Sequence, residues 1–517
     1  MYNMLKSSGA MAVATMLSRV LGMVREMCYA RFMGDGRVAD AFVLAFMIPN
    51  LFRRLLGEGA LTAAFIPIFK DKDKPEDPAA KWLVANAVIS GLLVAAGLLV
   101  VLVMLGLTLA IGLGDWSTDT MLMLKLLRVM FPYMLLVCVA AVLIGMLNSR
   151  GHFFVPAMGA TTLNVVLIIA VLVVAPRLGE TLDQKIFVLA FAVLIAGMAQ
   201  VTFQIPLLKK EGYRYRWMNP MISDEVKTVV RRMIPGTLGV AAFQINVLVS
   251  QMVAYSSDGS IVSSFNYAVR LMELPQGVFG ISLATFLLPT LAGLASSKDD
   301  KGFRETLQQA TGYLFYINII VAAVTIALAE PIVRLLFERG AFTEESTRRT
   351  SHALLALAPG LIAFSLVNVF SRAYFAKGDT KTPMRYSVAC LMLNLVLVVM
   401  LVVPYRQAGL GIANSITATL NAVLLYRGLK GMDPGLRLFP DGHRLWLAAP
   451  SALVGGWIAW KVWHWWDASL GSVATIDRIG EVFLPMGAAC VFYLVVTFGS
   501  GVPAARDILG LVRFRRP

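Results

Sequence analysis

Charge is scarce in this sequence. Only 15% of its 517 residues are Asp, Glu, Lys or Arg and 58% are hydrophobic, whereas a soluble domain carries about 25% charged residues. That balance excludes an ordinary soluble fold and predicts an all-α polytopic membrane protein. Cysteine is scarce too. Cys28, Cys138, Cys390 and Cys490 stand far apart in apolar stretches with no CxxC, which argues against a disulfide framework or a thiolate metal site. The four histidines are equally scattered, with no HExxH pair, so no metal is expected. No GxxxxGK[ST] loop is present, and neither a nucleotide nor any other cofactor is expected. The N-terminus has no uninterrupted apolar run ending in a cleavage site. Lys6, Arg19 and Arg25 break it up, and the segment reads as a retained first helix.

What the chain has is apolar length. A span needs about 20 apolar residues. Fourteen stretches qualify, near 7–33, 39–69, 82–113, 121–148, 155–176, 186–208, 232–255, 262–295, 305–329, 351–376, 384–403, 408–429, 445–466 and 480–500. Several exceed the thickness of the bilayer and are expected to tilt. The net charge of +15 lies mainly in short loops, a positive-inside pattern rather than a nucleic-acid-binding surface. With the N-terminus in the cytoplasm, the basic loops 70–81, 209–232, 298–304, 377–385, 427–444 and 506–516 share the cytoplasmic side. Loops 114–120 and 256–260 on the other side carry no Lys or Arg, and the mixed-charge loop 334–349 is the exception. Both termini are therefore expected to be cytoplasmic.

An internal repeat runs through the chain. Pro132, Gly151 and Pro156 recur 227 residues later as Pro359, Gly378 and Pro383, and Arg150-Gly151 is matched by Lys377-Gly378. Upstream, Asp35-Gly36, Ala41-Phe42 and Ile66-Pro67 recur as Asp258-Gly259, Ser264-Phe265 and Leu288-Pro289, at offsets of 222 or 223. Two pseudo-symmetric six-helix lobes of like orientation follow, over 1–213 and 214–432. An accessory helix pair and basic tail, 433–517, lie outside the duplication. Parallel repeats of this kind are a transporter architecture, with the substrate held between the halves.

Arg19, Arg25, Arg53, Arg54 and Glu58 interrupt the first two apolar stretches. A charge at mid-bilayer costs about 2.5–3.5 kcal/mol on insertion scales. Such groups must face a hydrated or protein-walled space, and one rich in arginine suits a phosphate-bearing anion. Arg19 and Arg25 are about 120° apart around a straight helix, which predicts a bend or unwinding at Gly22 if both reach one cavity. Arg53 and Arg54 follow Pro49-Asn50, where a kink turns them inward. The other reading for Arg54 and Glu58 is a mutual pair or snorkelling to the interface. Asp40 belongs near the external end of the same helix, as an outer gate or as a carboxylate favoured by the helix dipole. Arg270 and Glu273 share a helix face, either as part of a site or as a local ion pair. Lys125 and Arg128 open the fourth helix and read as snorkelling residues. Trp446, Trp457, Trp460, Trp463, Trp465 and Trp466 read as an interfacial belt, with a groove for a lipid tail as the other reading.

The motifs Ser18-Arg19-Val20-Leu21-Gly22-x-x-Arg25, Ala39-Asp40-Ala41-Phe42, Pro49-Asn50-Leu51-x-Arg53-Arg54 and Gly57-Glu58-Gly59-Ala60-Leu61 resemble the opening of the MurJ/MviN family of lipid II flippases. The resemblance continues through Arg270-Leu271-Met272-Glu273-Leu274-Pro275-x-Gly277-Val278 and Lys377-Gly378-Asp379-Thr380-Lys381-Thr382-Pro383, and covers essentially the whole chain. That family belongs to the multidrug/oligosaccharidyl-lipid/polysaccharide exporter superfamily. The resemblance implies a transporter rather than an enzyme, two lobes working by alternating access, and a final helix pair that holds the polyprenyl tail. The implied substrate is lipid II, the undecaprenyl-diphosphate-linked peptidoglycan precursor, carried from the inner to the outer leaflet of the bacterial inner membrane. Matching positions imply Arg19, Arg25, Arg53, Arg54 and Arg270 as substrate-binding cations. They imply Asp40, Glu58, Glu273 and Glu26 as gating or ion-pairing acids. Membrane lipids and peptidoglycan-synthesis enzymes are the candidate partners, and the membrane potential or a coupled ion is the expected energy source. Two positions depart from the family pattern: Val269 stands where an acid often precedes the arginine, and Met47 where a lysine sometimes precedes Pro-Asn. A mechanism that uses either charge does not carry over.

Rival readings are distinguishable from sequence. A flippase for another polyprenyl-linked glycan shares every feature above. A multidrug/cation antiporter predicts acidic rather than arginine-rich intramembrane residues. A membrane-embedded glycan enzyme predicts a long external loop with catalytic carboxylates, and a scaffold gives no reason to keep intramembrane arginines.

Overall fold

The computed structural model describes residues 2–55, 61–74, 76–77, 79–220, 223–257, 259–439, 442–470 and 475–507. Its elements are helical, and among the described residues the β pairing is a single Lys74–Asp77 bridge. Lipid demands this, because a helix satisfies its own N–H and C=O groups. By length and apolar composition six helices qualify as spans, or up to eight if each of two bent pairs counts as one. This is fewer than the fourteen apolar stretches of the sequence, several of which are broken at prolines and π-type turns or carry charge.

The chain divides into two compact units, Met1–Met252 and Val253–Pro517. The first holds α1 (Tyr2–Met33), α2 (Arg37–Phe52), α3 (Leu61–Asp71), α4 (Ala80–Leu113), α5 (Thr118–Met130), α6 (Tyr133–Ser149), α7 (Phe154–Ile169), α8 (Ala175–Leu178), α9 (Leu182–Lys210) and most of α10 (Asp224–Ser257). Phe65, Phe69, Val88, Met146 and Leu208 bind α3, α4, α6 and α9 into one core, against which Val226 and Met233 of α10 also pack. In the second unit are α11 (Ile261–Pro275), α12 (Ser282–Ser296), α13 (Asp300–Ala327), α14 (Ala329–Phe337), α15 (Glu344–Leu357), α16 (Gly360–Ala376), α17 (Lys381–Met432), α18 (Gly442–Leu445), α19 (Ala448–Leu470) and α20 (Thr475–Gly499). α17 joins the stretches 384–403 and 408–429 across a sharp break at Arg406, where φ is 52° and ψ −130°.

The sequence repeat has structural counterparts in each unit. α5 and α6 meet at a 40° bend and α15 and α16 at a 47° bend, with Pro132 and Pro359 as the matched residues at the start of the second segment. Proline cannot donate to the preceding turn, so a bend there is expected. The next helix end is also shared. Gly151 and Gly378 take φ of 84° and 79°, and the amides of His152 and Asp379 donate back to the Leu147 and Tyr374 carbonyls at 3.0 Å. This is a glycine-dependent helix stop, and it explains why the basic-glycine pair recurs.

The accessory pair α19 and α20 packs on α13. Ala448, Ala452 and Ala459 join Phe315, Tyr316 and Ile320 in one core. A Cβ on Gly456 would lie 3.1 Å from the Ala323 carbonyl oxygen, the close backbone approach that small residues permit between helices in lipid. Tyr493 donates to the Tyr316 carbonyl at 2.8 Å.

Candidate functional site

α1 runs unbroken from Tyr2 to Met33, so the helix does not unwind at Gly22. Gly22 faces α7, where a Cβ would stand at an ordinary contact distance of 3.8 Å from the side-chain nitrogen of Asn164. On that unbroken helix Arg19 is exposed and Arg25 buried. Arg25 Nη1 donates to Asn164 Oδ1 at 3.1 Å and Nη2 to Glu26 Oε1 at 2.5 Å. The guanidinium also lies 5.5 Å from the centre of the Tyr29 ring, within cation–π range. Asn164 Nδ2 donates in turn to the Ser18 carbonyl at 3.1 Å. Arg25 Nε is buried with no partner. A cation in an apolar helix is thus fixed by one amide and one acid, and it keeps a donor in reserve.

Arg53 continues α2 into a π-type turn and is half-buried, while Arg54 is exposed. Arg53 Nε donates to Asn50 Oδ1 at 2.7 Å, so the Pro49-Asn50 step supplies its anchor. Glu58 lies outside the described residues. Asp40 is fully buried in the first turn of α2, where a helix dipole favours a carboxylate. At the same end of this unit Arg37 reaches Asp119 at 3.1 Å and Asp183 at 3.3 Å. The acids sit in the first turns of α5 and α9, so one guanidinium ties three helix starts together.

In the second unit Arg270 and Glu273 form an ion pair at 2.6 Å and both are exposed, the local pair that their spacing allows. Of the tryptophans, Trp446, Trp457, Trp460 and Trp465 are exposed, which suits an interfacial belt. Trp463 is committed elsewhere: its Nε1 donates at 2.8 Å to Glu481, a fully buried carboxylate that also pairs with Arg334 at 2.8 Å.

A second network closes the other end of the first unit. Arg150 bridges Asp73 at 2.7 Å and Glu211 at 2.9 Å, His152 meets Glu211 at 2.8 Å, and Lys81 meets Asp73 at 2.5 Å. Hydrogen bonding from Lys81, and then from Arg150, holds the Asp73 carboxyl below its ordinary range; His152 and then Arg150 do the same for Glu211. Folded carboxyls below their unfolded values of about 4 stabilise fully above that pH and lose the contribution as pH falls through the folded value. Arg150→Ala is therefore expected to destabilise the purified protein by about 1 kcal/mol at pH 7, with the difference shrinking toward pH 3.5. Thermal unfolding across that range checks it.

The sequence model of the lipid II flippase MurJ family matches residues 29–465. The chain belongs to that family. Among its relatives, the probable lipid II flippase MurJ of Vibrio cholerae is 32% identical over 96% of each chain. The lipid II flippase MurJ of Burkholderia cenocepacia is 31% identical over 94% of each. The fold matches a solved lipid II flippase MurJ in an inward closed conformation with a TM-score of 0.75, at 23% identity over 96% of this chain and 99% of the other. It also matches an inward-facing multidrug resistance MATE family transporter of the MOP superfamily, with a TM-score of 0.64 at 15% identity over 83% of this chain and 98% of the other. As a member of the MurJ family the chain is a multi-pass membrane transporter rather than an enzyme. The family match begins at residue 29, so Asp40, Arg53 and Arg270 fall inside it, whereas Arg19 and Arg25 precede it.

Proposed function

We propose that this chain moves lipid II from the inner to the outer leaflet of the bacterial inner membrane by alternating access of two lobes, with both termini cytoplasmic. Membership of the lipid II flippase MurJ family supports the substrate class. The observation that carries the binding role is Arg25: a permanently charged, buried guanidinium held by Asn164 and Glu26 with Nε still unpartnered. A diphosphate competes for that group with more charge than one carboxylate and with oxygens that match the guanidinium fork. Glu26 thus keeps the empty site neutral and yields to the substrate. Arg19, Arg53, Arg54 and Arg270 are the further cations offered to the headgroup, and Asp40, Glu58 and Glu273 are the acids that bias the resting state.

Binding shifts the two-state equilibrium only by the difference between its affinities for the two states. Contacts made by Arg25 must therefore be better in the closed state than in the state that admits substrate. Directional export also needs energy. Each elementary charge that crosses 100 mV is worth about 2.3 kcal/mol, which makes the membrane potential or a coupled ion the natural source.

The test is depletion of the protein in cells, followed by an assay of which leaflet holds lipid II. Lipid II is expected to accumulate in the inner leaflet and to reach the outer one again on re-expression. Outer-leaflet lipid II at normal levels in depleted cells, with another polyprenyl-linked glycan retained inside, would transfer the role to that glycan.

A further inference from the structure

Asn86 and Ser90 are buried polar side chains on the apolar helix α4, and both hold the same segment. That segment is residues 211–220, the described part of the stretch between α9 and α10, and it leaves the helical conformation after Gly212. The Tyr213 ring packs on Trp82 with centroids 5.4 Å apart. Asn86 Nδ2 donates to the Arg214 carbonyl at 3.2 Å. Ser90 Oγ meets the Tyr215 hydroxyl at 3.1 Å and accepts from the Met218 amide at 3.2 Å. A Cβ on Gly91 would stand 3.3 Å from the Pro220 side chain. The contact points on α4 advance in order from Trp82 to Gly91, so the segment lies along the helix as a strap. Its one acid, Glu211, is already engaged by Arg150 and His152.

The strap ends where the hydrocarbon begins. At 34 residues, α4 is about 51 Å long, against about 30 Å of bilayer hydrocarbon. Burial divides the helix in two. Val84 to Ser90 are buried at every position, whereas Val94, Leu98, Leu102, Leu105, Leu109 and Leu113 are exposed. Counting back from Leu113, which precedes Gly114-Asp115, about 20 residues cross the hydrocarbon and bring its edge to Val94. The strap therefore covers the turns just outside that edge, at the level of the lipid headgroups. There it presents Trp217, 61% exposed, and Tyr215, 45% exposed. Arg214 and Arg216 flank Tyr215, are exposed and, among the described residues, have no ion pair. An aromatic ring with one polar edge suits the headgroup layer, and an unpaired guanidinium matches the oxygens of a phosphate. We propose that the strap is a membrane-interface anchor that binds anionic phospholipid headgroups, with Trp217 seated among them and Arg214 and Arg216 on their phosphates. An acidic soluble partner would satisfy the arginines, but it gives no reason for an exposed tryptophan at this depth. Such an anchor is independent of what the protein transports.

The test uses the full chain in nanodiscs of phosphatidylcholine, with and without phosphatidylglycerol. The emission of Trp217, taken as the difference between the parent and Trp217→Phe, reports its depth. It is expected to be quenched by a phospholipid spin-labelled near the headgroup and to be protected from acrylamide in the water. The double variant Arg214→Gln/Arg216→Gln is expected to retain about tenfold less phosphatidylglycerol than the parent by native mass spectrometry, because each basic residue near an anionic surface adds to the attraction. Inorganic phosphate should not displace the lipid from the parent. Both arginines are exposed, so the variant should keep the parent's thermal midpoint, which separates lost binding from lost fold. Trp217 open to acrylamide in both bilayers would overturn the anchor and leave this face to a soluble partner. Equal retention of phosphatidylglycerol by parent and variant would overturn it as well, and displacement by inorganic phosphate would make it a site for a soluble anion instead.

Discussion

Replacing Arg25 with alanine is expected to cut delivery of lipid II to the outer leaflet by at least tenfold. A hydrogen bond to a charged group contributes about 1.5–3 kcal/mol, and Arg25 offers several to one diphosphate. Arg25→Lys keeps the charge but loses the planar fork, so it should fall between alanine and the unaltered protein. Asn164→Leu removes one of the two side chains that orient the guanidinium and should cost less than Arg25→Ala. Because Arg25→Ala leaves Glu26 with a lost partner in a buried setting, the double variant Arg25→Ala/Glu26→Ala separates folding from binding. It should accumulate normally in the membrane and still fail to transport. Recovery of transport in the double variant would show that the arginine serves only to neutralise its neighbour.

The largest effect on stability is expected at Arg334. Its guanidinium meets Glu330 at 2.5 Å and Glu481 at 2.8 Å, and Arg478 meets Glu338 at 3.3 Å. Glu481 is almost inaccessible, and its second oxygen has no partner. Removing one side of a buried pair strands the other charge, at a cost of about 3–5 kcal/mol. Arg334→Ala should therefore loosen α20 from α14, lower the thermal midpoint of the purified protein and expose the 433–517 region to protease. Arg334→Met combined with Glu481→Met fills the space without charge and should regain most of the midpoint, since apolar replacement of a buried pair is often neutral or stabilising. A single Arg334→Ala variant as stable as the parent would mean that packing of α19 on α13 holds the pair without help.

Much of the scaffold was legible because its causes are local. Apolar length reports a helix in lipid, a proline reports a bend, and a glycine after a basic residue reports a left-handed helix stop; this is why Pro132, Gly151, Pro359 and Gly378 marked real features. A charge inside an apolar run likewise singled out Arg25. Its surroundings were not legible. Asn164 is 139 residues from Arg25, Asp183 is 146 from Arg37, and Glu481 is 147 from Arg334. No local pattern links such positions. Gly22 shows the same limit: glycine in a helix permits either a bend or a close approach, and sequence alone does not choose between them.

The central claim is that the Arg25 guanidinium recognises the lipid-linked diphosphate. It is tested most directly by equilibrium binding of an undecaprenyl-diphosphate-linked lipid to the purified protein in nanodiscs, with and without Arg25→Ala. The account predicts at least tenfold weaker binding in the variant and competition by inorganic pyrophosphate in the parent only. Equal affinity in both proteins, with pyrophosphate without effect, would contradict it.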